Sequence, residues 1–190
     1  NVTNGIAHRR WLGQANPELT SYLNGLLGGD FIKDLSNIEE LLKYADDKTV
    51  LDDLEKIKHT KKEQLAKYIK DANGINVDID SIFDVQVKRL HEYKRQLLNA
   101  LHIVYLYRQI KFNGLRPRPR TFIFAAKASS GYVMAKNIIK FICTLSDMIE
   151  ADPLVRDYIK VVFLEDYRVT LAEIIIPGAN VSEQISQAGK

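Results

Sequence analysis

The sequence has little cysteine and no long apolar run. A single cysteine, Cys143, among 190 residues excludes an internal disulfide framework and is typical of a reducing compartment, so we expect a cytoplasmic protein. No apolar run approaches the roughly 20 residues that a membrane-spanning helix needs, and we therefore expect no membrane partner. Residues 1–6 lack the basic and apolar regions of a signal peptide.

The surplus of charge is also small. The chain has 27 Lys and Arg residues against 24 Asp and Glu residues, for a formal net charge of +3. The isoelectric point of 8.8 lies just below about 9, above which nucleic acid becomes a leading hypothesis for the partner. Hydrophobic residues make up 46% and charged residues 27% of the chain, which excludes a disordered or collagen-like protein.

Residues 1–75 are predicted to form a helical segment. Asn16 followed by Pro17 is typical of a helix N-terminus, and Gly28 ends the leucine stripe that follows. Another helix is predicted over residues 47–73, where apolar residues recur at helical spacing before an Asn-Gly pair. Its lysines alternate with acidic residues, which predicts a solvated face, with a binding patch as the alternative. These lysines are Lys56, Lys58, Lys61, Lys62 and Lys67.

A helix is also predicted between these two. Ser36 and Glu39 have the spacing of a capping box, in which each side chain satisfies a backbone N–H group at the helix start. The expected buried face of this helix consists of Ile38, Leu41 and Leu42.

Residues 76–190 are predicted to form an α/β domain. Apolar segments at 82–87, 121–126 and 159–164 are predicted strands, and the segments at 92–111, 131–148 and 169–176 are predicted helices. This alternation indicates a parallel sheet covered on both faces. Cys143 is expected in the core, and the helix at 92–111 is expected to face inward with Leu97, Leu98, Leu101, Val104 and Leu106.

Cations follow all three predicted strands. Lys88, Arg89 and Lys94 come after the first strand, Lys127 after the second and Arg168 after the third. Ligands of open α/β sheets bind at the carboxyl ends of the strands, where helix N-termini favour anions and Arg and Lys bind phosphate. The residues therefore predict a phosphate or nucleotide site, although a polar surface helix remains the alternative after the first strand. No spacing of His, Cys and carboxylates predicts a metal site.

Several segments resemble the α-glucan (glycogen and maltodextrin) phosphorylase family. The longest is FDVQVKRLHEYKRQLLN at residues 83–99. Four more follow the family's order, namely TNGI with RRWL at residues 3–12, GYVMAK at 131–136, VFLEDYRV at 162–169 and SEQIS at 182–186. On this resemblance the chain is identified as an interior fragment that covers the first part of the C-terminal domain.

The resemblance implies a glycosyltransferase that uses inorganic phosphate to release glucose 1-phosphate from α-1,4-glucan. It implies pyridoxal 5′-phosphate as cofactor and a glycosyltransferase-B-type pair of Rossmann-like domains with the active site between them. The parent is expected to be a homodimer that binds no nucleic acid. The Lys that forms the Schiff base is expected beyond Lys190, so the fragment alone is expected to be inactive.

The resemblance also assigns individual roles. Arg89 and Lys94 match the catalytic residues that bind the substrate phosphate, Lys88 matches a contact to the cofactor phosphate, and Asn4 matches a contact to the glucosyl unit. Other expected cofactor contacts are Trp11, Tyr167, Arg168 and Gln184. Lys127 and Tyr132 match positions near the cleft.

Two alternatives remain from the residues. The first is a nucleotide-sugar glycosyltransferase domain, in which Glu165 would bind a ribose. The second is a basic nucleic-acid-binding module that uses residues 88–95, and the near balance of charge argues against it.

Overall fold

The computed structural model describes residues 7–29 and 31–188. Four strands form one parallel sheet: β1 (Ile82–Val87), β2 (Arg120–Ala125), β3 (Ile159–Leu164) and β4 (Val181–Ser182), in the spatial order β3-β2-β1-β4. The helices are α1 (Pro17–Leu27), α2 (Lys48–Asn73), α3 (Gln96–Asn113), α4 (Val133–Glu150) and α5 (Val169–Gly178). The predicted α/β class with a parallel sheet is confirmed, whereas β4 was not predicted.

The predicted caps determine where the first helices begin and end. The Asn16 side chain accepts a hydrogen bond from the backbone N–H of Leu19, and Gly28 ends α1 at φ 69°. The Asp47 carboxylate accepts from two N–H groups in the first turn of α2, and Gly74 ends that helix at φ 70°. Both glycines adopt the left-handed conformation that a side chain disfavours.

Leu35–Tyr44 forms a 3₁₀-helix, and its predicted buried face is wrong. Leu42 is 78% exposed and Ile38 is also exposed. Leu41 and Tyr44, which are three residues apart and share a side of the 3₁₀-helix, are partly buried, whereas Leu42 lies on another side. The N-cap is Asp34 rather than Ser36, because the Asp34 carboxylate accepts a hydrogen bond from the Ser36 N–H at 3.0 Å.

Two apolar clusters lie on opposite faces of the sheet. One packs α3 and α4 against side chains that include Phe122, Phe124 and Val161. The other packs α2 and α5 against side chains that include Phe83, Val85 and Ile123. Helix α2 of the predicted helical segment thus shares a core with the strands, and the division at residues 75 and 76 stays a prediction.

The expected inward face of α3 is wrong in part. Leu97, Leu98 and Leu101 are exposed, and Val104 and Leu106 are partly buried. The buried side chains are Gln96, Asn99, Ala100, Ile103, Tyr107 and Ile110. The helix begins directly after Arg95, whose backbone is left-handed (φ 60°), and its leucine-rich side faces away from the sheet.

Two other burial predictions are also wrong. Cys143 is exposed on α4 instead of lying in the core. Lys61 and Lys62 are only 5% and 7% exposed, because α2 packs against α5 and the sheet. Lys62 Nζ donates to the Ser81 carbonyl at 2.7 Å, and Lys58 Nζ donates to two carbonyls at the end of α5 at 2.7 and 2.8 Å. Lys56 and Lys67 are exposed as predicted.

Candidate anion-binding site

The carboxyl ends of the four parallel strands bring four loops to one edge of the sheet. These loops cover residues 88–95, 126–132, 165–168 and 183–188. The first and last are joined, because the N–H of Gln187 donates to the Tyr93 carbonyl at 2.8 Å. The first and second are joined as well, since the N–H of Leu90 donates to the Lys127 carbonyl at 3.2 Å. The predicted convergence of the strand ends is therefore present.

Lys88 lies partly buried between the first and last loops. Its Nζ donates to Gln184 Oε1 at 2.9 Å, which brings two predicted site residues together. Burial lowers the pKa of Lys88, and the nearby charge of Lys94 lowers it further, whereas Glu183 opposes the shift. Two cations are thus held close enough to repel each other at this edge.

Arg89 and Lys94 line one depression of about 600 Å³. Arg89 is exposed and Lys94 is half-buried. Other residues that line the depression are His91, Tyr93, Lys127 and Tyr132. Within the described residues, Lys88, Arg89 and Lys94 make no ion pair with a carboxylate. A group of cations without bound carboxylates is an arrangement that attracts a phosphate dianion.

An aromatic cluster forms the rim of this depression. The His91 ring centroid lies 4.3 Å from that of Tyr93 and 5.3 Å from that of Tyr132. Tyr132 donates its hydroxyl to the Glu92 carboxylate at 2.5 Å, and this bond raises the pKa of Tyr132. The His91 Nδ1 accepts the Tyr93 N–H at 3.3 Å, so His91 caps the 3₁₀ turn Glu92–Lys94.

In the loop after β3, unlike the loop after β1, a carboxylate pairs with the cations. Arg168 Nη1 donates to Asp166 Oδ2 at 2.7 Å, and Lys127 Nζ lies 4.0 Å from Asp166 Oδ1. Tyr167 is half-buried, and burial raises its pKa. Arg168 and Lys127 therefore reach the predicted edge, but Asp166 offsets part of their charge.

Trp11 lies in an unpredicted π-helical turn, Arg9–Gln14. Arg10 Nε donates to Glu173 Oε1 at 2.6 Å, which attaches this turn to α5, the helix that follows Arg168. Trp11 is half-buried there. Asn4, the predicted contact to a glucosyl unit, lies outside the described residues.

Sequence reasoning missed a buried polar group beneath the site. Asp84 on β1 is 1% exposed, and Arg120 Nη1 donates to its Oδ2 at 3.0 Å, while its Oδ1 has no hydrogen-bond partner among the described residues. Burial raises the pKa of Asp84 to about 6, the negative charge of Glu183 adds to the shift, and Arg120 opposes it. The signal was present in the sequence, because polar residues occupy every second position of the otherwise apolar strand β1, at Asp84 and Gln86, and the pattern continues to Lys88 just after it.

Within the described part of the chain, no group of His, Cys, Asp and Glu is arranged to hold a metal ion. The helices described there include none that is both long and apolar enough to cross a membrane.

Comparison with known proteins adds an independent observation. The family described as "Carbohydrate phosphorylase" matches residues 1–190. The chain is 50% identical over 191 residues to glycogen phosphorylase from Bacillus subtilis and 48% identical over 190 residues to the muscle form from Mus musculus. It is 44% identical over 190 residues to maltodextrin phosphorylase from Streptococcus pneumoniae. All of this chain is aligned each time, and it covers 24%, 23% and 25% of these relatives.

Proposed function

This chain belongs to the carbohydrate phosphorylase family, and from that premise we propose that it is part of an α-glucan phosphorylase. The reaction is transfer of a terminal glucosyl unit from glycogen or maltodextrin to inorganic phosphate, with release of glucose 1-phosphate. The chain spans about a quarter of the length of the relatives it matches, so the reaction is assigned to the longer protein that carries this sequence. The observation that carries the proposal is the group of cations Lys88, Arg89 and Lys94, which are free of ion pairs within the described residues.

Phosphate is the ligand that best suits these cations. Lys88 and Lys94 repel each other, and a dianion placed among them removes that unfavourable interaction. Arg89 supplies a planar fork of donors that matches phosphate oxygens, and Lys94 supplies a compact charge. Fixed cations of this kind stabilise negative charge that develops on the phosphate in the transition state.

Pyridoxal 5′-phosphate is proposed as the cofactor. Lys88 suits its phosphate, because its partly buried ammonium group donates to a neutral amide, Gln184, rather than to a carboxylate. Tyr167 is half-buried near the end of β3, and Trp11 lies on the turn attached to α5, so both suit an aromatic ring. Arg168 is a weaker contributor because of Asp166. When bound, the cofactor would supply a phosphate group that exchanges a proton with the substrate phosphate.

The remaining features of the proposal concern the whole protein. We place the 1–75 segment and the 76–190 α/β part in one C-terminal catalytic domain, facing an N-terminal domain across the active-site cleft. The proposed assembly is a cytoplasmic homodimer, with glucan, inorganic phosphate and glucose 1-phosphate as its small-molecule partners.

The test measures phosphate-dependent release of glucose 1-phosphate from maltodextrin by the full-length protein and two variants. Arg89→Ala is expected to raise KM for phosphate by about 10- to 100-fold, because hydrogen bonds to charged groups contribute about 1.5–3 kcal/mol. Arg156→Ala is the matched control, since Arg156 is an exposed cation in the turn before β3, at the opposite edge of the sheet. Absence of glucose 1-phosphate from the cofactor-loaded protein would contradict the proposed reaction, and equal effects of both variants would contradict the role of Arg89.

A further inference from the structure

Two buried glutamines lie beneath the loop that carries the cations. We propose that Gln86 and Gln96 are positioning residues that hold the two ends of this loop, and thereby hold Lys88, Arg89 and Lys94 at the spacing a phosphate requires. The inference rests on the proposed function, because it concerns the phosphate site of that reaction.

Gln96 holds the first end of the loop. It is the first residue of α3 and is 1% exposed. Its Nε2 donates to the Arg89 carbonyl at 3.2 Å and lies 3.5 Å from the Lys88 carbonyl. Its Oε1 is buried and has no hydrogen-bond partner in the part of the chain that the structure describes, which is unfavourable for stability. An apolar side chain of the same size would avoid that cost, so the amide is better explained by the carbonyls it holds.

Gln86 holds the other end. It lies on β1 and is 1% exposed, and its Nε2 donates to the Lys94 carbonyl at 3.2 Å. Its Oε1 accepts from Asn99 Nδ2 at 3.1 Å, and Asn99 is a buried residue of α3. Asn99 therefore orients Gln86, and Gln86 in turn orients the backbone that carries Lys94.

The backbone beside Lys94 needs such support. Arg95 has φ 60°, a left-handed conformation that is strained for a residue with a side chain. Strained conformations persist where surrounding contacts determine them, and here the contacts include the Gln86 bond to the Lys94 carbonyl. Arg95 Nη2 also donates to the Ser186 carbonyl at 3.4 Å. The loop is thus held rigid at the point where one of its cations projects.

Rigidity matters because the cations repel each other. Lys94 lowers the pKa of Lys88, so a free loop would relax by moving the two ammonium groups apart. Holding Lys88 and Arg89 through Gln96, and Lys94 through Gln86, prevents this relaxation before phosphate binds. Preorganised charges stabilise a transition state more than charges that must first reorient. Loss of either glutamine should therefore weaken the use of phosphate and leave the use of glucan unchanged.

The test compares Gln86→Met and Gln96→Met in the full-length, cofactor-loaded protein, since methionine keeps the volume and removes the donor. Each variant is expected to raise KM for phosphate about tenfold and to change KM for maltodextrin less than about twofold. The matched control is Thr121→Val, which removes the buried 2.7 Å bond between Ser81 Oγ and Thr121 Oγ1 at the other end of the sheet. It is expected to lower stability and to leave both KM values unchanged.

A milder variant guards against failure of the first two to fold. Asn99→Leu removes the bond that orients Gln86 without touching the loop, and it is expected to raise KM for phosphate about threefold. In the double variant with Gln86→Met, KM for phosphate should be no higher than in Gln86→Met alone, because the two residues act in series. Additive effects would contradict the series from Asn99 through Gln86 to Lys94.

The outcomes separate this inference from the proposed function. If the unaltered protein makes glucose 1-phosphate and the methionine variants keep its KM for phosphate, the positioning role is overturned and the function stands. If the unaltered protein makes none, direct binding of inorganic phosphate by calorimetry decides. About tenfold weaker binding in the variants supports the positioning role, whereas equal binding in the variants, or none in the unaltered protein, overturns it.

Discussion

Asp84 should make the stability of the protein fall as the pH rises from 4.5 to 7. Its carboxyl group is buried and its pKa is raised from 3.8 to about 6, so the folded state binds the proton more tightly than the unfolded state. An acid with a raised pKa contributes stability below its unfolded pKa and loses that contribution as the pH passes its folded pKa. With these two pKa values the loss between pH 4.5 and pH 7 is about 2 kcal/mol.

The measurement is the free energy of unfolding in urea at half-unit steps across this range, for the original protein and Asp84→Asn. The difference between the two cancels the titration of groups that do not interact with Asp84. Relative to Asp84→Asn, the free energy of unfolding of the original protein should fall by about 2 kcal/mol as the pH rises from 4.5 to 7. The fall is about 0.7 kcal/mol if the folded pKa of Asp84 is one unit lower.

Glu183→Gln provides a second test of the same cause. The charge of Glu183 raises the pKa of Asp84, so its removal should move the transition to lower pH and reduce the slope. A difference between the original protein and Asp84→Asn that is flat, or that rises with pH, would refute the reasoning.

Other predictions concern packing and a second carboxylate. Gly178→Val should destabilise the protein by about 1–3 kcal/mol in urea unfolding, because even a Cβ there would lie 3.1 Å from Leu65 Cδ2. Gly25→Val, with open space around the Cβ, should show no such packing cost, and an equal loss in both would argue against it. The Lys111 ammonium holds the pKa of Asp152 down to about 2, so the stability advantage of the original protein over Asp152→Asn should disappear as the pH falls from about 4 towards 2. An advantage as large at pH 2 as at pH 5 would contradict that ion pair.

Local pattern was sufficient for β1 to β3 and for the caps of α1 and α2, and insufficient for the cap of the 3₁₀-helix and for β4. Short segments rich in apolar residues and an Asn-Pro or Gly signal act within a few residues, so β1 to β3 and the ends of α1 and α2 could be predicted. Val181–Ser182 is a strand only because it pairs with β1 at Asp84 and Val85. That pairing depends on a distant part of the chain, which no local pattern reveals.

The face of a helix was harder to predict than its existence. Helix α3 is apolar on more than one side, so periodicity could not show that Ile103 is buried and Leu101 is exposed. The polar residues Gln96 and Asn99 are buried, and their amides donate to the Arg89 carbonyl and to Gln86 Oε1. Tertiary hydrogen bonds of this kind leave no periodic signal.

The cations of the candidate site could be predicted, and their partners could not. Residues after a parallel strand converge at one edge, which is enough to bring Lys88, Lys94 and Arg168 there. Which of them meets a carboxylate depends on loop geometry, and Asp166 turns out to pair with Arg168. The assigned roles of these residues stay predictions until the variants are measured.

Lys58 and Lys62, which join α2 to the rest of the protein, also affect how the protein unfolds. Lys58 provides donors for carbonyls at the end of α5, and Lys62 donates to Ser81 just before β1. Detaching α2 would strip these carbonyls of their partners and uncover Phe83 and Val85 on the sheet. Helix α2 and the sheet should therefore open as one cooperative unit, with amide hydrogens that share a common free energy of opening. A chain cut to begin at residue 76 would lose that unit and expose to water the part of the sheet that α2 covers.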